Sequence, residues 1–384
     1  MKEMKLPEGW KVEKLENVFI LIRNGASIKQ GEQHGGYPIT RIETIANSYV
    51  DINKVGYAGI YELGKYSDYL LKYGDILMSH INSEKHLGKT AIYENCHLKI
   101  IHGMNLLCLR SNKDLLLAKY AYYYLNSIEF KLQLPKIMKK SVNQASFSIN
   151  DLKCLKIIVP SLEIQKKIVK ALEKAEEILK KRKEVINLLD ELVKSRFIEV
   201  FGDPVTNPRD WEVKLLGEVC DMKAGKNIKA CDISEINTGT LYPCYGGNGL
   251  RGYVEKYSHE GNIPLIGRQG ALCGNVNYAR GRFYATEHAV VTQPKVKINN
   301  YWLYYILNEL DLNRFSIGAA QPGLTIGKLN RVKIPIAPLD MQNQFADFVK
   351  QVDKLKFEMQ KSLKKMENNF NSLIQRAFKG ELFK

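Results

Sequence analysis

The sequence predicts an α+β protein: two tandem globular domains of mixed α/β structure, related by a pseudo-twofold axis and separated by two long antiparallel coiled-coil helices. Three observations predict this fold. A ten-residue stretch is written twice, many other residues recur at a slowly falling spacing, and two long segments carry a near-heptad apolar pattern.

The duplicated stretch reads KIIVPSLEIQ at 156–165 and KIPIAPLDMQ at 333–342. Each copy is a short β-branched run, then a proline, then the start of a charged amphipathic segment, which is typical of a strand that ends where a helix begins. Matching residues elsewhere lie at a spacing that falls from 201 to 186 to 177: Trp10 and Trp211, His102 and His288, Gln165 and Gln342. A spacing that falls in steps indicates a duplicated unit with loop deletions in its second copy.

The two long segments predict helices of roughly 35 residues, about 50 Å long at 1.5 Å per residue. Their apolar residues step by three and four along the chain, which forms a seam on one face. The first seam contains Ile168, Leu172, Ala175, Leu179, Ile186, Leu189 and Val193. The second contains Phe345, Val349, Val352, Leu355, Met359, Leu363, Met366, Phe370 and Leu373. Because an apolar seam needs a partner, we expect the two helices to pack against each other, antiparallel.

These patterns divide the chain into five segments. They are a first domain at 1–160, a first spacer helix at 161–201, a linker at 202–210, a second domain at 211–338 and a second spacer helix at 339–380.

The net charge of +16 is concentrated in the two domains. Residues 1–160 carry +7 (22 basic minus 15 acidic residues), and 201–338 carry +4 (16 minus 12). Acid-free basic stretches fall at matching places in both units, at 130–150 and 312–339. This distribution favours a polyanionic partner over an evenly solvated basic surface.

Other classes of protein are disfavoured. No apolar run approaches the ~18 residues of a membrane span, and no apolar signal core follows Met1, so we expect a cytoplasmic protein without a membrane partner. The seven cysteines form no Cys-x-x-Cys pair, so we expect neither disulfides nor a metal site.

Two segments partly match catalytic motifs but lack residues that those motifs require. Asn207-Pro208-Arg209-Asp210 lacks the second proline and the aromatic residue of an adenine methyltransferase loop, and it is interpreted as a turn in a linker. Residues 83–90, SEKHLGKT, lack the first glycine of a phosphate-binding loop, and strand-like sequence follows them. We therefore expect no catalytic residue in this chain.

Taken together, Trp10 or Trp211 at the start of each unit, the divergent middles, PSLEIQ or APLDMQ, and the endings SRFIEVFGDP and QRAFKGELF resemble the specificity subunit of type I restriction-modification systems. The resemblance covers almost the whole chain. It implies that the two domains are target recognition domains, each reading one half of a bipartite, asymmetric site in double-stranded DNA. It also implies that the helices set the spacing and bind two methyltransferase subunits, which recruit the restriction (translocase-nuclease) subunits. S-adenosylmethionine, ATP and Mg would then be used by those partners, with no cofactor bound here.

Base recognition needs forked or amide side chains on loops, because Arg and Lys fit guanine while Asn and Gln fit adenine. In the first domain the candidates are Arg23, Asn24, Lys29, Arg41, Asn82, Lys85, Lys139, Lys140, Asn143 and Gln144. In the second they are Lys226, Asn227, Lys229, Asn248, Arg251, Arg268, Gln269, Arg280, Arg282 and Gln321. Many of these are expected to contact phosphates, which position the protein without specifying sequence.

Two alternatives remain open from the residues alone. One is a helical adaptor whose basic domains bind RNA or an acidic protein partner. The other is a stand-alone restriction and methylation enzyme, which the missing catalytic motifs disfavour. Smaller features also have more than one interpretation. His102 and His288 are structural or DNA-contacting residues or a catalytic base, and the tyrosines at 120–124 are core or a base-stacking platform.

Overall fold

The duplicated sequence folds into two compact units that share both long helices. The computed structural model describes residues 6–29, 35–95, 97–142, 144–270, 272–316, 318 and 322–383. Unit 1 comprises Met1–Arg182 and Ser362–Lys384, and unit 2 comprises Lys183–Lys361. Within the described ranges, no helix combines the length and apolar character needed to cross a membrane.

Unit 1 contains nine strands and five helices within its described residues, the last helix continuing into unit 2. Its strands are β1 Lys11–Lys14, β2 Phe19–Asn24, β3 Ile76–Ser79, β4 Ile81–Asn82, β5 Thr90–Ile92, β6 Leu106–Ser111, β7 Lys139–Lys140, β8 Ala145–Ser146 and β9 Lys156–Val159. Its helices are α1 Leu15–Val18, α2 Ala118–Asn126, α3 Ile128–Lys131, α4 Ile149–Lys153 and the 40-residue α5 Leu162–Phe201. Short 3₁₀ turns lie at Ile42–Ile45, Ile52–Lys54, Gly64–Tyr69, Glu84–His86 and Leu134–Lys136.

Unit 2 begins and ends with the same elements as unit 1 and has ten strands among its described residues. Its strands are β10 Glu212–Leu215, β11 Cys220–Ala224, β12 Tyr242–Gly246, β13 Gly249–Val254, β14 His259–Glu260, β15 Ile263–Gly267, β16 Val276–Ala279, β17 Arg282–Ala285, β18 Ala289–Pro294 and β19 Lys333–Ile336. Its helices are α6 Leu216–Val219, α7 Asn300–Glu309, α8 Ile326–Leu329 and the 40-residue α9 Leu339–Phe378, with 3₁₀ turns at Ala230–Asp232 and Leu312–Phe315.

Each unit is built on a four-stranded antiparallel sheet. The strand order is β2-β6-β3-β5 in unit 1 and β11-β18-β15-β16 in unit 2. A two-stranded ribbon, β1-β9 or β10-β19, closes each unit immediately before its long helix. Two further sheets differ between the units: β4-β8-β7 in unit 1, and β13-β12-β17-β14 in unit 2.

The repeated stretch covers the closing strand and the first turn of the long helix. Its glutamine is buried in both copies and joins the long helix to the start of a second helix. Gln165 Oε1 accepts from the amide of Leu117, which caps α2, at 2.8 Å. Gln342 Oε1 accepts from the amide of Asn299, which caps α7, at 2.9 Å. The stretch occurs twice because each unit needs this junction.

The long helices are antiparallel where they pack in unit 2. Phe197 near the end of α5 lies 5.5 Å, ring to ring, from Phe345 near the start of α9, and Lys356 Nζ reaches Asp190 Oδ2 at 2.6 Å. The prediction that Leu355 belongs to the seam is wrong, because its side chain is 47% exposed. Lys356 takes that seam position instead, since its ammonium group can reach Asp190 at the edge of the pair.

Candidate nucleic-acid interface

In unit 2, several connections converge on one edge of the sheet. Strand β11 ends at Ala224 and β15 at Gly267, while β18, antiparallel to both, begins at Ala289. The segments that follow or precede these residues therefore leave the sheet at the same edge. The turn between β12 and β13 also reaches it, because a Cβ placed on Gly247 would lie 3.7 Å from the Cα of Gly267.

Close backbone contacts hold these connections together. The amide of Lys226 donates to the carbonyl oxygen of Ala285 at 2.9 Å. A Cβ on Gly225 would overlap that same carbonyl, and a Cβ on Gly267 would overlap the carbonyl of Gly247. Glycine is required at both positions because two backbones approach too closely for any side chain.

Five of the predicted DNA-binding residues lie on these connections, and a sixth, Arg251, lies in strand β13 just after the turn. The five are Lys226, Asn227, Asn248, Arg268 and Gln269. The backbone of Arg268 is fixed on both sides, because its amide donates to His288 (3.0 Å) and its carbonyl accepts from Leu324 (2.9 Å). Its side chain is half-buried, and its Nε has no hydrogen-bond partner among the described residues.

Three other predicted residues of unit 2 lie elsewhere. Arg280 follows β16, whose last residue pairs with the first residue of β15, so it stands at the opposite edge of the sheet. Its Nη2 donates to Asp353 Oδ2 (3.1 Å) on α9. Arg282 Nε donates to Glu260 Oε2 (3.2 Å). Lys229 is exposed beside a 3₁₀ turn, and Gln321 lies outside the described residues.

Unit 1 presents the matching edge. Strand β2 ends at Asn24 and β3 at Ser79, and β6 begins at Leu106 between them. The amide of Ala26 donates to the carbonyl of His102 at 2.8 Å. A Cβ on Gly25 would overlap the next carbonyl, that of Gly103, as at Gly225 of unit 2.

The small sheet β4-β8-β7 extends this edge and carries a basic cluster. In this sheet Ala145 of the middle strand pairs with Asn82 on one side and with Lys140 on the other. Lys139 precedes Lys140 on the outer strand. Lys85 and Gln144 are exposed beside it. Lys140 Nζ lies 2.9 Å from Glu84 Oε1, an exposed ion pair that polyanion binding would replace at little cost. Asn143 lies outside the described residues.

The remaining predicted residues of unit 1 are more scattered. Asn24 and Lys29 are exposed at and beyond the end of β2, and Arg41 is exposed at the start of a 3₁₀ turn. Arg23 is held inside its unit, because its guanidinium lies 4.1 Å from the centre of the Tyr69 ring and donates to the carbonyl of Asp68.

The two histidines have different surroundings. His102 is buried, its Nε2–H donates to the carbonyl of Leu106 at 2.9 Å, and burial lowers its pKa to about 4. It is therefore a neutral structural residue and not a poised base. His288 is more exposed and lies 3.1 Å from Glu287.

The tyrosines at 120–124 form part of the core. Tyr120, Tyr123 and Tyr124 are buried, and Tyr120 and Tyr124 pack edge-on against Phe378 at 5.4 and 5.1 Å between ring centres. Their burial is incompatible with base stacking.

The described residues also bear out the interpretation of the two segments that partly match catalytic motifs. Asn207 forms a turn, in which its side chain bonds both the amide and the carbonyl of Trp211. Residues 84–86 form a 3₁₀ turn that leads into strand β5 and not into a phosphate-binding helix. Among the residues described, no three His, Cys, Asp or Glu side chains are grouped to hold a metal ion.

Comparison with known proteins decides the family. Residues 7–188 and 208–367 match the family described as the type I restriction modification DNA specificity domain. This chain belongs to that family. It is 33% identical to the putative type I restriction enzyme MjaX specificity subunit of Methanocaldococcus jannaschii, over 95% of this chain and 93% of that protein. It is 32% identical to the type I restriction enzyme EcoprrI specificity subunit of Escherichia coli, over 91% of this chain and 90% of that protein.

Solved structures agree on the fold. The chain superposes on a structure titled as showing complex assembly and conformational transition of the type I R-M system, with a TM-score of 0.62 and 19% identity, covering 98% of this chain and 100% of that one. It also superposes on the S subunit from M. genitalium, with a TM-score of 0.56 and 18% identity, covering 98% of both chains. The predicted fold class, mixed helix and sheet with two domains joined by long helices, is confirmed.

Membership of this specificity-subunit family fixes the broad function. The chain is the DNA sequence-recognition subunit of a type I restriction-modification complex, and it is a non-catalytic subunit. Specificity subunits of this kind bind DNA and assemble with other subunits of the system. The adaptor alternative is not supported.

Proposed function

We propose that each unit reads one half of a bipartite, asymmetric DNA site with the sheet edge described above. The recognition domains are proposed at 1–160 and 211–338, with spacer helices at 161–201 and 339–380 and a linker at 202–210. What supports this is the matching edge in both units: the same strands end there, yet the side chains differ. Asn82 in unit 1 matches Arg268 in unit 2 at the 186-residue spacing, so the edges offer an amide and a guanidinium at equivalent places. Such a pair favours adenine in one half-site and guanine in the other.

The basic residues near each edge would bind phosphates. Lys139 and Lys140 in unit 1 lie on the small sheet that holds Asn82, and Lys226 in unit 2 lies at the same sheet edge as Arg268. Phosphate contacts would hold each domain in register on the duplex, while the side chains of the edge reach the bases. Two domains on one face of the duplex would place the half-site centres about one helical turn apart, roughly 34 Å.

The long helices would bind two methyltransferase subunits. Helix α5 carries a second apolar stripe off the seam: Ile178, Val185, Leu188 and Leu192 are 48%, 39%, 57% and 48% exposed. On α9, Phe357 is 63% exposed. Exposed apolar stripes of this kind mark protein interfaces. The restriction subunits would join through the methyltransferases, and the partners would use S-adenosylmethionine, ATP and Mg.

Methylation mapping tests the proposal. The full-length chain is assembled with its two methyltransferase subunits and S-adenosylmethionine, and methylated adenines are mapped on random-sequence DNA. We expect one bipartite motif whose two halves differ and flank an unread spacer. A single continuous motif, or methylation without sequence preference, would contradict the proposal.

The Arg268→Ala variant tests whether the sheet edge of unit 2 reads DNA bases. Removing a guanidinium that pairs with guanine should cost about 1–3 kcal/mol of discrimination at one base pair. The second half-site should relax at that position, and the first should stay unchanged. Arg282→Ala is the matched control and should leave the motif intact, because Arg282 lies in strand β17 of the other four-stranded sheet and its Nε donates to Glu260. Equal relaxation in both variants, measured by methylation rates on single-base substitutions, would place the interface elsewhere.

A further inference from the structure

A carboxylate occupies the same position on both long helices and accepts a hydrogen bond from a buried tyrosine. Glu176 lies 14 residues beyond Leu162, the first residue of α5, and Asp353 lies 14 residues beyond Leu339, the first residue of α9. Tyr123 Oη donates to Glu176 Oε2 at 2.7 Å, and Tyr301 Oη donates to Asp353 Oδ2. The first pair belongs to unit 1 and the second to unit 2.

The two phenols are nearly buried and stay protonated. Tyr123 is 2% exposed and Tyr301 is 7% exposed. Burial, followed by the hydrogen bond to the carboxylate, raises the pKa of both phenols well above the ordinary value. Each phenol therefore keeps the proton that it donates to the carboxylate, and a hydrogen bond to a carboxylate is stronger than one between two neutral groups.

The tyrosines are not equivalent in the repeat. At the 182-residue spacing that relates α2 to α7, Tyr123 matches Tyr305, and Tyr301 matches Lys119. In the repeat, the positions of the two tyrosines differ by four residues, about one helical turn. The carboxylate at the equivalent position of each long helix is therefore reached from a different turn of α2 and of α7. The same link, made by different residues, indicates that the link itself is required.

The charged groups around the link also differ between the units. In unit 1, Lys119 Nζ bridges Glu94 (2.7 Å) and Glu173 (3.5 Å). In unit 2, Arg280 bonds Asp353 and lies over the Tyr301 ring at 5.6 Å. At the repeat spacings of 186 and 177, Glu94 matches Arg280, and Glu173 matches Lys350. At these two positions the charge is therefore reversed between the units.

The link supplies a second point of attachment between the recognition domain and the long helix. The first is the repeated glutamine, since Gln165 bonds the start of α2 and Gln342 the start of α7. Apolar packing also joins each long helix to its domain, at Leu172 in unit 1 and at Val349 in unit 2. Because apolar packing is non-directional, the angle is fixed by the hydrogen bonds, and the glutamine alone would leave a pivot. Helix α2 contacts β5 and helix α7 contacts β15, and both strands belong to the four-stranded sheet whose edge is proposed to read DNA. Rotation about that pivot would therefore move the DNA-reading edge.

We propose that the Tyr123–Glu176 and Tyr301–Asp353 pairs are positioning residues: they fix the angle between each recognition domain and its long helix, and so set how strictly the two half-sites must be spaced. This inference rests on the proposed bipartite reading. One added base pair moves a half-site by roughly 3.4 Å along the duplex and roughly 35° around it. A recognition domain that is held rigidly on its helix cannot reach the displaced half-site, whereas a domain that can rotate on its helix can reach it.

The test compares methylation rates of the assembled complex on DNA with the native spacer and with spacers one base pair shorter or longer. In Tyr123→Phe and in Tyr301→Phe the preference for the native spacer should fall by roughly tenfold, the ratio that a hydrogen bond to a charged group supports. The half-site sequences should stay the same. Glu176→Gln and Asp353→Asn should act in the same direction.

Tyr120→Phe is the matched control. Tyr120 is also a buried phenol on α2, and its Oη donates to the carbonyl of Ile158 (2.9 Å) and not to the long helix. It should lower thermal stability comparably and leave the spacer preference unchanged. Unchanged spacer preference in Tyr123→Phe and Tyr301→Phe would overturn the inference, as would equal relaxation in Tyr120→Phe. If the unmodified complex showed no bipartite motif, the proposed function would fail instead.

Discussion

Inserting four helix-forming residues after Arg182 and four after Lys361 will lengthen the unread spacer of the DNA site while leaving both half-sites unchanged. The boundary between the two compact units crosses the long helices at these two points, so neither core is interrupted. Four residues add about 6 Å, slightly more than one helical turn, which keeps each apolar seam on nearly the same face. This rise corresponds to one or two base pairs at about 3.4 Å each.

Methylation mapping of the assembled complex measures this result. The control carries the insertion after Arg182 alone, which shifts one seam against the other and should abolish activity. The interpretation of the helices as spacers would be wrong if the double insertion altered the half-sites and kept the original spacer.

A half-chain of residues 1–206 is expected to form a symmetric dimer and direct methylation to an inverted repeat of the first half-site. In the full chain, Phe378 from the end of α9 completes the core of unit 1 against Tyr120 and Tyr124. The half-chain lacks Phe378, but Phe201, the last residue of the equally long α5, is its repeat match and packs against Trp302 as Phe378 packs against Tyr120. A second copy can therefore supply the missing ring. Burying several apolar side chains at ~1.5–3 kcal/mol each should give association at micromolar concentrations.

Two variants sharpen this experiment. Phe201→Ala should prevent the dimer, because losing a buried phenylalanine costs about 3–5 kcal/mol. Asp190→Leu should strengthen it, because the residue that matches Lys356 in a second copy of α5 is Leu179, which cannot pair with a carboxylate. Light scattering measures the dimer, and methylation mapping shows the palindrome. A well-folded monomer that still binds DNA would contradict the prediction.

The repeat and the long helices are predictable because they depend on patterns that sequence shows directly. Apolar residues at steps of three and four require a helical seam, and the duplicated stretch requires two copies of one junction. The one error in the seam, Leu355, has a local cause. A lysine beside it can place its stem in the seam and its ammonium on Asp190, and this choice depends on a partner 166 residues away.

The site residues are less predictable, because residue type does not show which edge of a sheet a loop reaches. Arg268 and Arg280 have the same chemistry and lie 12 residues apart, yet one stands at the reading edge and the other bonds Asp353 on α9. The phenol–carboxylate pairs were missed for a related reason. Their tyrosines are offset by one helical turn between the repeats, so aligning the two halves conceals that both reach the same carboxylate position.

The opposite charges beside the two carboxylates limit how recognition domains can be exchanged during evolution or by engineering. A second-unit domain moved onto α5 would bring Arg280 to Glu176, a favourable encounter. A first-unit domain moved onto α9 would bring Lys119 to Lys350, where its own helix has Glu173. Moving a second-unit domain onto α5 is therefore expected to be better tolerated than moving a first-unit domain onto α9. The second exchange needs a compensating substitution on α9.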